Sequence, residues 1–244
     1  MKLLIIRHGD PDYSIDSLTE KGRKEAKYLS ERISRLDVRE FFVSPMGRAK
    51  DTASFTLEKL NRTATECEWL REFAPRIHRP DLNGRLSSIA WDWLPQDWTD
   101  CEEFFRYDQW FDTDILKEGN VKEEYQWVTE NLDNLLAERG YIHDGQVFRV
   151  EKPNEDTYVF FCHFGLGCVM IGHLLGISPM VLWHSFCAAP TSVTTLVTEE
   201  RRKGIARFRM NAYGDISHLY ANREDPAFAA RFCEIYDNME QRHD

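Results

Sequence analysis

The sequence predicts an α/β fold built as a three-layer sandwich: a mainly parallel sheet with one antiparallel edge strand, helices on both faces and an inserted lid. Three observations predict it. Short apolar runs at 3–6, 41–43 and 158–162 end abruptly in polar residues, as buried parallel strands do where they reach a sheet edge. Between them lie segments whose apolar positions step by three or four, the period of one helical face. Near the end, Ala206, Phe208, Met210 and Ala212 alternate with Arg207, Arg209, Asn211 and Tyr213, the signature of a half-buried edge strand. Strands that alternate with helices along the chain imply the α/β class.

Taken in order, the first strand delivers Arg7, His8 and Gly9 to its end. A helix follows the turn at 17–22, with Ala26, Leu29, Ile33 and Leu36 on its buried face. After the second strand, Ser44 reads as a helix N-cap and Pro45 as a first-turn proline, with Ala49, Ala53, Leu57 and Leu60 behind them. That start places Arg48 near a helix N-terminus. Val121, Tyr125, Val128, Leu132 and Leu135 mark an amphipathic helix stopped by Gly140. The strand at 158–162 leads into His163, then into a buried helix at 165–175 closed by Gly176 and Pro179, and residues 192–198 form a β-branched strand. Residues 79–120 break the alternation. Rich in tryptophan (Trp91, Trp93, Trp98, Trp110), they read as an insertion folded over the sheet as a lid, its tryptophans packing as local core. With that insert, residues 1–244 read as a single domain.

Composition excludes several classes. Hydrophobic residues at 42% and charged residues at 30% belong to a folded chain. A net charge of −10 argues against nucleic acid as a partner. Cysteines 67, 101, 162, 168, 187 and 233 lack paired spacing and contain no CxxC, so they are expected as reduced thiols in a cytoplasmic protein. The apolar run before Arg7 is too short for a signal peptide. The uncharged stretch 157–198 carries His163, His173, His184, Pro179 and Pro190, which suits a buried core better than a membrane span. His78, His143, His173, His184 and His243 lie on different segments with no HExxH, so neither metal nor cofactor is expected.

In open α/β sheets ligands bind at the carboxyl ends of the strands. The side chains collected there are Arg7 and His8, Arg48, and His163: two guanidiniums and two imidazoles in an acidic protein. Paired arginines suit the oxygens of a phosphoryl group, and helix N-terminal amides beside Arg48 favour the same anion. A neutral imidazole facing phosphorus can attack it, dividing hydrolysis into two displacements through a phosphohistidine. Rival chemistries fail on the letters. No cysteine is followed six residues later by arginine, Cys101 reaching Tyr107 instead. Asp112-Thr113-Asp114-Ile115-Leu116 does not follow a strand, and Gly165-Leu166-Gly167 is followed by Met170 where dinucleotide binding needs a third glycine.

The set resembles the histidine phosphatase superfamily, also called phosphoglycerate mutase-like. The resemblance is carried by Arg7-His8-Gly9, by Leu18-Thr19-Glu20-Lys21-Gly22-Arg23, by Ser44-Pro45-Met46-Gly47-Arg48-Ala49 and by Leu70-Arg71-Glu72. Cys162-His163-Phe164-Gly165 and Gly214-Asp215-Ile216-Ser217-His218 complete it. It implies His8 as nucleophile, Arg7 and Arg48 as phosphate clamps, His163 as a second electrostatic partner, and Glu72 as proton donor, with Glu66 and Glu68 as nearby rivals. Phe164, standing where glycine is common, is expected to offer its backbone N–H to phosphate, and His218 to orient the site from behind. The loop between Arg7 and Leu18 is short, leaving Asp10 and Ser14 as poor substitutes for the substrate contacts found there in relatives. The implied activity is metal-independent hydrolysis of a small phosphomonoester. The alternatives are mutase-type phosphoryl transfer and a phosphate-binding module without turnover.

Overall fold

The computed structural model describes residues 1–82, 86–229 and 231–243. The chain opens with β1 (Lys2–Arg7), the small pair β2 (Pro11–Asp12) and β3 (Ser17–Leu18), helix α1 (Glu20–Ile33), β4 (Glu40–Val43) and α2 (Gly47–Leu60). Next come β5 (Thr65–Glu66), the hairpin β6 (Arg76–His78) and β7 (Leu86–Ile89), and helices α3 (Pro95–Thr99), α4 (Asp114–Glu118) and α5 (Val121–Glu138). The hairpin β8 (Tyr141–Asp144) and β9 (Val147–Val150) precedes β10 (Thr157–Cys162), α6 (Phe164–Leu175) and α7 (Pro179–Ser185). Strands β11 (Val193–Arg202) and β12 (Ile205–Asp215) and helix α8 (Ser217–Tyr220) complete the elements.

Eight strands form one sheet in the order β5-β4-β10-β1-β11-β12-β9-β8. The first four pair in parallel, giving the α/β arrangement its central sheet. Beyond β1 every pairing is antiparallel. The antiparallel part is therefore broader than the single edge strand expected, and β12 is not the rim: β9 pairs with its start at Ile205 and Ala206, and β8 lies outermost. Asp144-Gly145, with Gly145 at φ 62°, is the turn signal that marks this unforeseen hairpin.

Alternation along β1 divides the interior. Leu4 and Ile6 pack with Leu29 and Ile33 of α1 and Ala49 and Ala53 of α2, while Leu3 and Ile5 face the larger core that contains α5, α6 and α7. Helices thus cover both faces, as expected. Helix α1 starts at an N-cap Thr19 whose side chain accepts from the Gly22 amide, and it ends at Ser34. Leu36 consequently lies beyond the helix and is exposed rather than on its buried face, because the chain has already turned towards β4. A Cβ on Gly22 would stand 2.2 Å from the Asp10 carbonyl oxygen, so only glycine lets α1 approach the loop after His8 this closely.

Register sets up everything at the carboxyl edge. Arg7 lies opposite Cys162 across β1 and β10, and Phe161 lies opposite Val43 across β10 and β4. Backbone bonds prolong both ladders, His8 N–H to Cys162 O at 2.9 Å and Ser44 N–H to Phe161 O at 3.0 Å. His8 and His163 therefore leave adjacent strands level with each other, about 4.8 Å apart, while Ser44 leaves β4 one position earlier, level with Cys162.

The inserted segment joins the main core. Trp93, Trp98 and Trp110 are buried in the same cluster as Leu3, Ile5 and Phe160, and Trp110 meets Trp183 and Tyr125 edge-on at 5.3 Å each. Among the described residues no disulfide forms, and no helix is long and apolar enough to cross a membrane. Because Trp110 is packed as core, Trp110→Ala should cost about 3–5 kcal/mol in denaturant unfolding. A loss below about 1 kcal/mol, typical of surface changes, would mean that the segment is a loosely docked flap.

Candidate active site

Arg7 and His8 are both buried at the end of β1. The His8 ring is held by Nδ1 donating to the Gly9 carbonyl at 2.7 Å. That bond requires hydrogen on Nδ1, which leaves a lone pair on Nε2. Arg48 Nε donates to this same Nε2 at 3.3 Å, so the lone pair faces a guanidinium. Burial, reinforced by Arg7 and then Arg48, pushes the His8 pKa well below the ordinary imidazole value, with the Gly9 bond opposing.

His163 is the N-cap residue of α6, its ring 5.2 Å from that of His8. Burial first, then coupling to the neighbouring His8 imidazole and the charges of Arg48 and Arg7, drives its pKa well down. Its Nε2 lies 2.7 Å from Ser44 Oγ, and that oxygen also accepts from the Met46 amide. With Ser44 donating its hydroxyl proton to Nε2, the ring carries its hydrogen on Nδ1. His163 Nδ1 and the Arg7 Nε donor are buried with no hydrogen-bond partner among the described residues. Here the expected N-cap role of Ser44 is corrected: α2 begins at Gly47 with Met46 as its N-cap residue, since the Ser44 side chain is committed to the neighbouring strand end.

Arg7 is anchored through Nη1 to Ala188 O at 2.7 Å and Nη2 to Ala229 O at 3.3 Å, and the Phe164 ring lies 5.7 Å from its guanidinium carbon. Asp16 fixes Arg48, pairing with Nη1 at 2.5 Å while its other oxygen accepts from the Gly47 amide at 2.7 Å. Tyr13 lies over the same guanidinium at 5.4 Å. Asp10 and Ser14 turn elsewhere: the Asp10 carboxylate accepts from Thr19, and Ser14 bonds Asp12.

Glu72 follows a turn of 3₁₀ helix at Glu68–Leu70 and approaches the N-terminus of α6. Its Oε1 accepts from the amides of Phe73 at 2.8 Å and Leu166 at 2.9 Å. Burial raises its pKa, opposed by those amides and by the charges of Arg48 and Arg7. Gly165 makes the approach possible, because a Cβ there would stand 2.4 Å from Trp91 Nε1 and 2.9 Å from Glu72 Oε1. Trp91 is thus the side chain that the inserted segment brings beside the site, where it also meets Phe164 edge-on at 5.8 Å. Glu68 is exposed, and Glu66, also exposed, pairs with Lys50. The structure therefore separates Glu72 from its two rivals. A cleft of about 620 Å³ beside it is lined by Asp16, Pro45, Met46 and Glu72 among others.

Behind the row, the Thr191 amide donates to the carbonyls of Arg7 and His8 at 3.1 and 3.2 Å, and Thr191 Oγ1 meets His218 Nε2 at 3.1 Å. His218 reaches the strand end through that one residue. Burial, aided by Arg32, lowers its pKa to about 4. Ser44, Asp16 and Thr191 are the neighbours that residue reasoning missed. Only Ser44 sits within a recognisable motif.

A buried cationic edge of two arginines and two imidazoles, with a carboxyl of raised pKa beside it, defines an anion site able to handle phosphoryl groups. The chain matches the histidine phosphatase superfamily (branch 1) over residues 3–211, and it belongs to that family. Among curated proteins it is similar to the mitochondrial serine/threonine-protein phosphatase Pgam5 of Drosophila persimilis, 31% identical over 43% of this chain and 35% of that protein. It also resembles the 2,3-bisphosphoglycerate-dependent phosphoglycerate mutase of Thermoplasma acidophilum, 30% identical over 24% of this chain and 34% of that one. The chain thus spans about a third of the length of these relatives. Among solved structures, the fold is shared with phosphoserine phosphatase from Entamoeba histolytica, at TM-score 0.58 and 16% identity over 89% of this chain and 98% of that one. It is shared too with a mycobacterial glucosyl-3-phosphoglycerate phosphatase, at TM-score 0.54 and 19% identity over 87% and 98%.

Ser44→Ala should leave His163 Nε2 buried without its hydroxyl partner and cost about 1–3 kcal/mol in denaturant unfolding, whereas Ser44→Thr should retain most of the stability. Equal stability of Ser44→Ala and wild type would break the proposed tie between the strand ends.

Proposed function

We propose that the chain is a metal-independent phosphatase that hydrolyses a small phosphomonoester through a phosphohistidine on His8. The observation carrying this reading is the His8 ring itself: Nδ1 is tied to the Gly9 carbonyl and Nε2 faces the Arg48 guanidinium. An imidazole held neutral in this way keeps an in-plane lone pair aimed where the two arginines would gather phosphoryl oxygens.

In the first step His8 Nε2 bonds to phosphorus while the bond to the leaving oxygen breaks. A protonated Glu72 carboxyl gives its proton to that oxygen. The raised pKa of Glu72 supports the role, because a larger fraction keeps the proton near neutrality than a free carboxyl of about 4.3 would. In the second step the Glu72 carboxylate takes a proton from water, the water oxygen bonds to phosphorus, and the P–N bond breaks, returning the electron pair to Nε2. Arg7 and Arg48 clamp the equatorial oxygens throughout. His163 Nδ1–H and the Phe164 amide at the head of α6 add donors to the same oxygens. The short loop after His8 favours water over a second acceptor hydroxyl, and therefore hydrolysis over mutase transfer. The inserted segment shapes the leaving-group side through Trp91.

Brief exposure of the chain to a labelled phosphomonoester, followed by denaturation, should leave an acid-labile, alkali-stable phosphate on wild type and none on His8→Ala. Chelator should not change the result. Label on His8→Ala, or a wild type that binds phosphate yet never acquires label, would contradict the proposal, the latter pointing to a binding module without turnover.

A further inference from the structure

Away from the catalytic edge, a second group of chemistry-bearing side chains converges. Asp133 of α5, His143 of β8 and His173 of α6 come from segments far apart in sequence. His143 Nδ1 lies 3.0 Å from Asp133 Oδ2, and His173 Nε2 lies 2.8 Å from Asp133 Oδ1. One ligand atom from each residue lies within 4.8 Å of the other two. His163 and His173 stand ten positions apart on one helix. At 1.5 Å per residue the cluster is therefore about 15 Å from the catalytic row.

Two imidazole nitrogens and a carboxylate oxygen are the three-ligand set of open sites for zinc and similar ions. Bonds of about 2.0–2.1 Å in tetrahedral geometry would hold donors about 3.3 Å apart, which small side-chain rotations reach from the spacing here. The surroundings prearrange both rings. His143 stacks on Phe148 at 4.7 Å and 9°, and Tyr125 meets His173 edge-on at 6.4 Å. Both imidazoles line a cavity of about 250 Å³ together with Tyr107, Asp108 and Gln146, which leaves room for water in the remaining coordination position. Magnesium and calcium prefer all-oxygen shells, so this donor set does not suit them.

We propose that Asp133, His143 and His173 bind one zinc-type divalent cation with its open position towards the cavity, stapling α5 and α6 to the outermost strand of the sheet. The separate segments explain why sequence spacing showed no metal site. The ion would be structural or regulatory and is distinct from the chemistry at His8. Binding only to the folded chain, it would raise thermal stability by mass action.

Untagged protein, stripped with chelator and dialysed, should bind one equivalent of Zn²⁺ in calorimetry with micromolar or tighter affinity, and its thermal midpoint should rise. Mg²⁺ should do neither. Asp133→Asn and, separately, His143→Gln, each checked by circular dichroism, should weaken binding by more than the about 10–100-fold lost with an outer-shell partner. His8→Ala should keep its full equivalent. Absence of stoichiometric binding in wild type would overturn the proposal, as would undiminished binding in both Asp133→Asn and His143→Gln. Loss of the ion in His8→Ala would overturn it too, by placing the metal at the catalytic edge.

Discussion

The register of three neighbouring parallel strands, β1, β10 and β4, is the constraint on which the rest of this structure depends. With Arg7 opposite Cys162, the next residues, His8 and His163, emerge level with each other, and with Phe161 opposite Val43, Ser44 emerges one position earlier, level with Cys162, from where its hydroxyl reaches His163. A slip of one residue in either ladder would send its side chains to the opposite face and take one imidazole out of the row. The two halves of the core enforce that register, since Leu3 and Ile5 must face α5 and α6 while Leu4 and Ile6 face α1 and α2.

Given the row, burial determines protonation. Imidazoles buried beside two guanidiniums cannot hold their own charge cheaply, so both stay neutral, whereas the arginines remain charged at every accessible pH. The same burial acts in the opposite sense on Glu72, favouring its protonated form. One desolvated environment thus holds neutral imidazoles beside fixed cations and shifts the neighbouring carboxyl towards its protonated form. The charges cannot relax into water, which is also why Asp16 and the carbonyls of Ala188 and Ala229 are needed to hold the guanidiniums.

Much of this was legible in the letters because Arg7, His8, Arg48 and His163 each sit where an apolar strand ends or a helix begins, and such positions are set by local pattern. Ser44 was legible only in part. Ser-Pro is an ordinary helix start, and nothing local says that its hydroxyl will turn to an imidazole from a strand more than a hundred residues away. Leu36 continued a helical period that the Ser34 cap ends early. The β8–β9 hairpin stayed hidden because His143 and Arg149 interrupt its alternation, although Asp144-Gly145 announces its turn. The cluster of Asp133, His143 and His173 exists only through tertiary contact, the level at which spacing in sequence carries no information. The tryptophans of the insert, expected as the local core of a lid, pack instead into the main core, and Trp91 stands beside Glu72.

The central claim, a neutral His8 with its lone pair on Nε2, can be measured without turnover. Nitrogen-15 shifts of the His8 ring, assigned by comparison with His8→Ala, should show a protonated Nδ1 and a pyridine-like Nε2. They should stay unchanged as pH falls through about 6.5, the ordinary imidazole pKa. A ring that becomes doubly protonated near that pH, or one whose hydrogen sits on Nε2, would contradict the account.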